Sequence, residues 1–123
     1  VDKGLLVEAS VKLLRFLKQE GVDVRAALLT YTLDRGWRLL IAPSKFEGTR
    51  SLYQRIAEVF HKYGGRIGDL HISDVDVIEP DSETIRSLGV SIGDTGEQIL
   101  TYPNVRLGRK FYEEIIPLPV SGP

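Results

Sequence analysis

The chain of 123 residues is 42% hydrophobic and 27% charged, with a formal net charge of −1 and no cysteine. This length and composition fit one ordinary globular domain that buries its own core, not a disordered chain. Disulfides, thiolate metal sites and cysteine nucleophiles are excluded, no apolar run reaches the roughly 18 residues of a membrane span, and a charge so near zero draws in neither nucleic acid nor acidic lipid.

Residues 4–20 predict an amphipathic helix. Leu6, Ala9, Leu13, Phe16 and Leu17 follow the i, i+3/i+4 spacing, Val11 and Leu14 widen the apolar face, and Gly21 is a natural stop. Over residues 22–33 the period changes to a strand rich in apolar, β-branched and aromatic residues. Asp34-Arg35-Gly36 then reads as a turn, and Trp37 to Ala42 as a second strand stopped by Pro43, which together make a hairpin. Ser44 to Glu47 has capping-box spacing, and Thr49 is a further candidate cap. The helix that follows runs to Tyr63, with Leu52, Ile56, Val59 and Phe60 on one face, and Gly64-Gly65 ends it.

A third strand is expected from Leu70 to Glu79, and a short helix from Asp81 or Ser82 through Leu88, closed by Gly89. Residues 89–97 read as a loop. Ile99 to Tyr102, Val105 to Leu107 and Phe111 to Ile116 read as strand pieces, with bends at Pro103-Asn104 and Gly108, and 118–123 as a tail. The order α-β-β-α-β-α-β-β predicts a single two-layer α+β domain over 1–123. Its sheet is antiparallel or mixed, with helices packed on one face.

Charge is unevenly spread. Residues 1–66 carry a net +5, residues 67–101 a net −7 and residues 102–123 a net +1. The simplest reading is attraction between the halves within one fold. The opening Val1-Asp2-Lys3-Gly4 lacks the basic-then-apolar layout of a signal peptide, so a cytoplasmic location is expected.

The stretch from Tyr63 to Glu79 gathers a double glycine, His71 and four carboxylates. Gly64-Gly65 followed by Asp74-Val75-Asp76 resembles the nucleotidyltransferase superfamily, which joins a glycine turn to an Asp-hydrophobic-Asp strand. The resemblance covers about 15 residues, and the 8-residue spacer is shorter than that family's. It implies that Asp74 and Asp76 chelate Mg²⁺ or Mn²⁺ as the catalytic pair of a phosphoryl or nucleotidyl transferase or a nuclease, with Gly64 and Gly65 cradling phosphate. His71 with Asp69 and Asp74 is a weaker alternative metal set. The competing reading is a plain helix–turn–strand connection with solvated aspartates.

Three further features need weighing. Gly89-Val90-Ser91-Ile92-Gly93 matches Gly-x-Ser-x-Gly, but a helix precedes it and no histidine lies downstream, which removes it as a nucleophile elbow. Arg106, Arg109, Lys110 and Tyr112, with Tyr102 and Phe111, form a candidate interaction surface. That chemistry suits single-stranded nucleic acid, although charge guarding a sheet edge explains it more simply. Trp37, the sole tryptophan, is a core or interface anchor.

No nucleophile, base or cofactor loop stands out. The residues therefore favour a small cytoplasmic binding or accessory domain, without cofactor, acting through protein–protein contacts. Protein partners are expected, including a second copy joined through the terminal strands. Nucleic acid is less favoured, and membrane is not expected.

Overall fold

The computed structural model describes residues 2–91 and 99–120. Helices α1 (Lys3–Gln19), α2 (Thr49–Ile67) and α3 (Glu83–Ser91) accompany strands β1 (Val24–Thr32), β2 (Gly36–Pro43), β3 (Val75–Val77), β4 (Tyr102–Leu107) and β5 (Lys110–Leu118). They form a single α+β domain in the expected order, with a short 3₁₀ turn at Ile72–Asp74 before β3.

Helix α1 begins where the Asp2 carboxylate accepts from the Leu5 N–H at 3.2 Å. It ends at Gly21, whose φ of 83° suits a residue with no Cβ. The Val22 N–H donates to Leu17 O at 2.9 Å and the Gly21 N–H to Lys18 O at 3.0 Å. This is a Schellman closure, and Val22 and Leu17 are both buried in the same cluster.

The five strands lie in the order β3-β2-β1-β5-β4. β1 pairs antiparallel with β2 and β5, and β4 antiparallel with β5, while β3 runs parallel to β2. Both hairpin turns, 33–35 and 108–109, therefore lie at one end of the sheet, called here the turn end. Strand alternation splits the apolar residues into two clusters. Leu29, Leu39, Ile41 and Ile116 pack under α1 and α2 with Leu13, Leu17, Ile56 and Val59. Leu28, Leu40 and Ile115 face the other way, toward Leu107, Tyr112 and the α3 residues Ile85 and Leu88. The expectation of helices on one face thus holds for α1 and α2, whereas α3 covers the opposite face.

Helices α1 and α2 are clasped across their far ends. The Phe16 and Tyr63 rings stack at 4.2 Å with 4° between planes. Tyr63 Oη donates to Glu20 Oε2 at 2.9 Å, and Lys62 Nζ approaches the same oxygen at 3.2 Å. These contacts, the tyrosine hydrogen bond foremost, hold the Glu20 carboxyl below its ordinary value.

Several boundaries depart from expectation. The N-cap of helix α2 is Gly48, not a serine or threonine. The helix continues through Gly64 and Gly65 to Ile67, because Ile67 is fully buried and pulls one more turn into register. Gly68, at φ 100°, ends it. β3 is only three residues long, since Ile72–Asp74 curl into the 3₁₀ turn. α3 runs to Ser91, past the expected stop at Gly89. Residues 92–93 of the Gly-x-Ser-x-Gly match, most of the 89–97 loop and residues 121–123 of the expected tail lie outside the described residues.

Candidate functional site

At the turn end, on the α1 side of the sheet, lies an open groove of about 680 Å³. Its aromatic wall is built by strand register. Tyr31 on β1 sits directly across from Trp37 on β2, and their rings lie 5.3 Å apart, tilted by 49°. Trp37 also packs against the main core, so it is both a core residue and a groove residue. Leu6 of α1 adds apolar surface.

Three carboxylates meet this wall: Asp69, Asp74 and Glu114. Glu114 on β5 lies across from Tyr31 and pairs with Lys3 at 2.7 Å. Asp74 Oδ2 accepts from the His71 N–H at 3.1 Å, which closes the 3₁₀ turn and holds that carboxylate at the groove. Asp69 is exposed beyond the end of α2. Among the described residues, Arg35 is the one cation of the lining against three carboxylates, which gives the groove an acidic balance. Within two residues of lining positions in the sequence, Leu5 on α1, Leu33 in the hairpin turn and Ile72 in the 3₁₀ turn are exposed.

Asp76 lies elsewhere. It faces the α3 side, across from Leu40, and takes a two-pronged contact from Arg38: Nε at 3.1 Å to Oδ2 and Nη2 at 2.8 Å to Oδ1. Arg38 Nη1 also donates to Ser73 O at 2.6 Å, and Arg35 Nη2 comes within 3.3 Å of Asp76. Burial works to raise the Asp76 carboxyl, but the Arg38 hydrogen bonds and the nearby guanidinium charges win and hold it below its ordinary value. The same contact raises Arg38.

Asp74 lines the groove, whereas Asp76 does not, and both lie close enough to Arg38 to raise it. Only Asp76 stands on the strand; Asp74 belongs to the turn before it, and the same-face rule for i and i+2 does not reach across that boundary. Gly64 and Gly65 lie within a helix, which leaves no loop there to wrap a phosphate. His71 is exposed and meets Asp74 through its backbone N–H. Among the described residues, no group of three or more His, Cys, Asp or Glu converges to hold a metal.

Of the expected interaction surface, Arg106, Arg109 and Lys110 are exposed around the β4–β5 turn beside a half-exposed Phe111. Tyr112 is not part of it: the side chain is buried under α3. Burial pushes its phenol up, and the Thr84 hydroxyl pulls it part of the way back. Of the basic residues on α2, Arg55 donates to Glu20 O at 2.7 Å and Lys62 is clasped to the Glu20 carboxylate. A second hollow of about 240 Å³ sits near the start of α2, where Lys45 and Arg55 are balanced by Asp23 and Glu47.

The groove itself was missed in the sequence, although Trp37, Asp69 and Asp74 were singled out there for other roles. Its parts come from residues 6 to 114, and only sheet register unites them. Compared with known proteins, the chain matches no family model, and no curated protein or solved structure is significantly similar to it.

Proposed function

We propose that this chain is a small non-catalytic binding domain of the cytoplasm, acting through protein–protein contacts at the turn-end groove. The observation that carries this reading is the combination of an aromatic wall and an acidic lining in one open concavity. Aromatic anchors beside charge are the usual makings of a binding hot spot.

The state of the sheet edges supports the groove over strand addition. The outer edge of β3 is sealed by Tyr53, whose hydroxyl donates to Val75 O at 3.1 Å and accepts from the Val77 N–H at 3.1 Å. The outer edge of β4 contains Pro103, which has no N–H, and Asn104 at φ 53°. Both devices discourage pairing with another strand.

The test is a photo-crosslinking residue placed at Leu33 or Ile72, with Arg50 on α2 as the control position. A discrete protein adduct is expected from the groove positions, and its loss on Asp69→Lys. Equal labelling from all three positions, or none, would sink the reading.

A further inference from the structure

Resting on that reading, we infer that the occupant of the acidic groove is the Arg109-Lys110 hairpin tip of a second copy of this chain. The tip presents three exposed cations, Arg106, Arg109 and Lys110, together with Phe111, 45% exposed. The groove presents Asp69 and Asp74 against the Tyr31 and Trp37 rings, with Glu114 already paired to Lys3 and Arg35 paired to Asp76. Cations and an aromatic ring on one surface match carboxylates and aromatic rings on the other, both in charge and in cation–π chemistry.

Topology makes the contact intermolecular. The tip and the groove both lie at the turn end, because β5 begins there and β1 ends there. The tip stands apart from the groove. Gly108 abuts Glu83 of α3, and Leu107 and Tyr112 pack in the α3-side cluster, so strand alternation turns Arg106 and Phe111 to the α1 side, at the β4–β5 edge, and none of them lines the groove. A chain therefore does not fill its own groove. A two-fold axis between two turn ends, running perpendicular to the sheet, keeps both α1 sides on one side and sets the β4–β5 edge of each copy across from the β1–β2 strands of the other. Each tip then meets the partner's groove, and the assembly closes as a dimer. No strand pairing is needed, which agrees with the state of the two sheet edges.

The test is sedimentation velocity across a range of concentrations, in about 50 mM and about 0.5 M salt, because contacts between exposed charges are screened as the Debye length shrinks. The wild-type chain is expected to dimerise at low salt and to weaken about tenfold or more at high salt. Arg109→Glu with Lys110→Glu should be monomeric, and so should Asp69→Lys with Asp74→Asn, an exchange that keeps an acceptor for the His71 N–H. Mixing the two variants should restore a heterodimer, since each tip then meets a groove of opposite charge. Dilution of the wild-type chain, read by Trp37 fluorescence, needs no variant and should report the same midpoint. A wild-type chain monomeric throughout, or a dimer indifferent to both charge reversals, overturns the inference. If the chain is monomeric while Leu33 crosslinks to a different protein, the inference fails and the binding reading stands. If neither occurs, both fail.

Discussion

Asp76 shows how a residue that looks catalytic can be structural. Its carboxylate is enclosed by Arg38 and Arg35, and that pairing ties β3 to β2 and to the hairpin turn. Removing one member of a partly buried ion pair strands the other, so Asp76→Asn should destabilise the fold by about 1–3 kcal/mol at neutral pH, less than a fully buried pair would cost. The sign of the pH effect follows from a folded value below the unfolded one. The stabilisation is present above the unfolded aspartate value of about 3.9 and is lost as pH falls through the folded value. Urea unfolding of wild type and variant across this range should show a gap that closes in acid. A gap independent of pH would mean that charge on Asp76 contributes nothing. The same pair accounts for part of the charge asymmetry along the chain, since it joins the basic first half to the acidic segment that follows it.

At the scale of elements, Gly64 and Gly65 give the sharpest contrast between pattern and structure. Two adjacent glycines after an amphipathic run read as a stop, yet the burial of Ile67 carries α2 past them. Neither has a positive φ, and a Cβ at either would have no neighbour within 4 Å. Gly64→Ala and Gly65→Ala should therefore each stabilise the protein by about 0.5–1 kcal/mol, through helix propensity and a less disordered unfolded chain. Thermal unfolding reads this directly, and a loss of stability in either variant would contradict a helical conformation there. Elements with a strong local period were legible: α1 and the β1–β2 hairpin match their expected spans closely, as do the outline of α2 and the bend at Asn104. The limits of β3 were not, because the 3₁₀ turn is closed by a side-chain contact from Asp74 to the His71 amide that no periodicity reports. The side on which α3 packs was equally hidden, since an apolar stripe does not say which sheet face it meets.

The whole molecule is lopsided. The cluster under α1 and α2 is much the larger, and two helices seal it. Among the described residues, the cluster on the α3 side is small, with partly buried Ile85, Leu88, Tyr102 and Val105 around a few buried residues. The groove was illegible for a related reason: its carboxylates and rings become neighbours only once β1 has paired with both β2 and β5, so no window of sequence contains it. Local stability should follow the depth of packing on each side. Amides of β4 and α3 that are hydrogen-bonded within the fold should exchange through a partial opening that leaves α1, α2 and the β1–β2 hairpin intact, while β1, flanked on both sides, should exchange only on global unfolding. Native-state hydrogen exchange in rising urea distinguishes the cases. Separate isotherms for β4 and β1 that merge only near the unfolding midpoint are expected, and a single isotherm for all protected amides would show instead that the two clusters melt as one. If the hairpin tip docks into a second copy, dimerisation should slow exchange in the β4–β5 hairpin at low salt, because any ligand of the closed state opposes the opening.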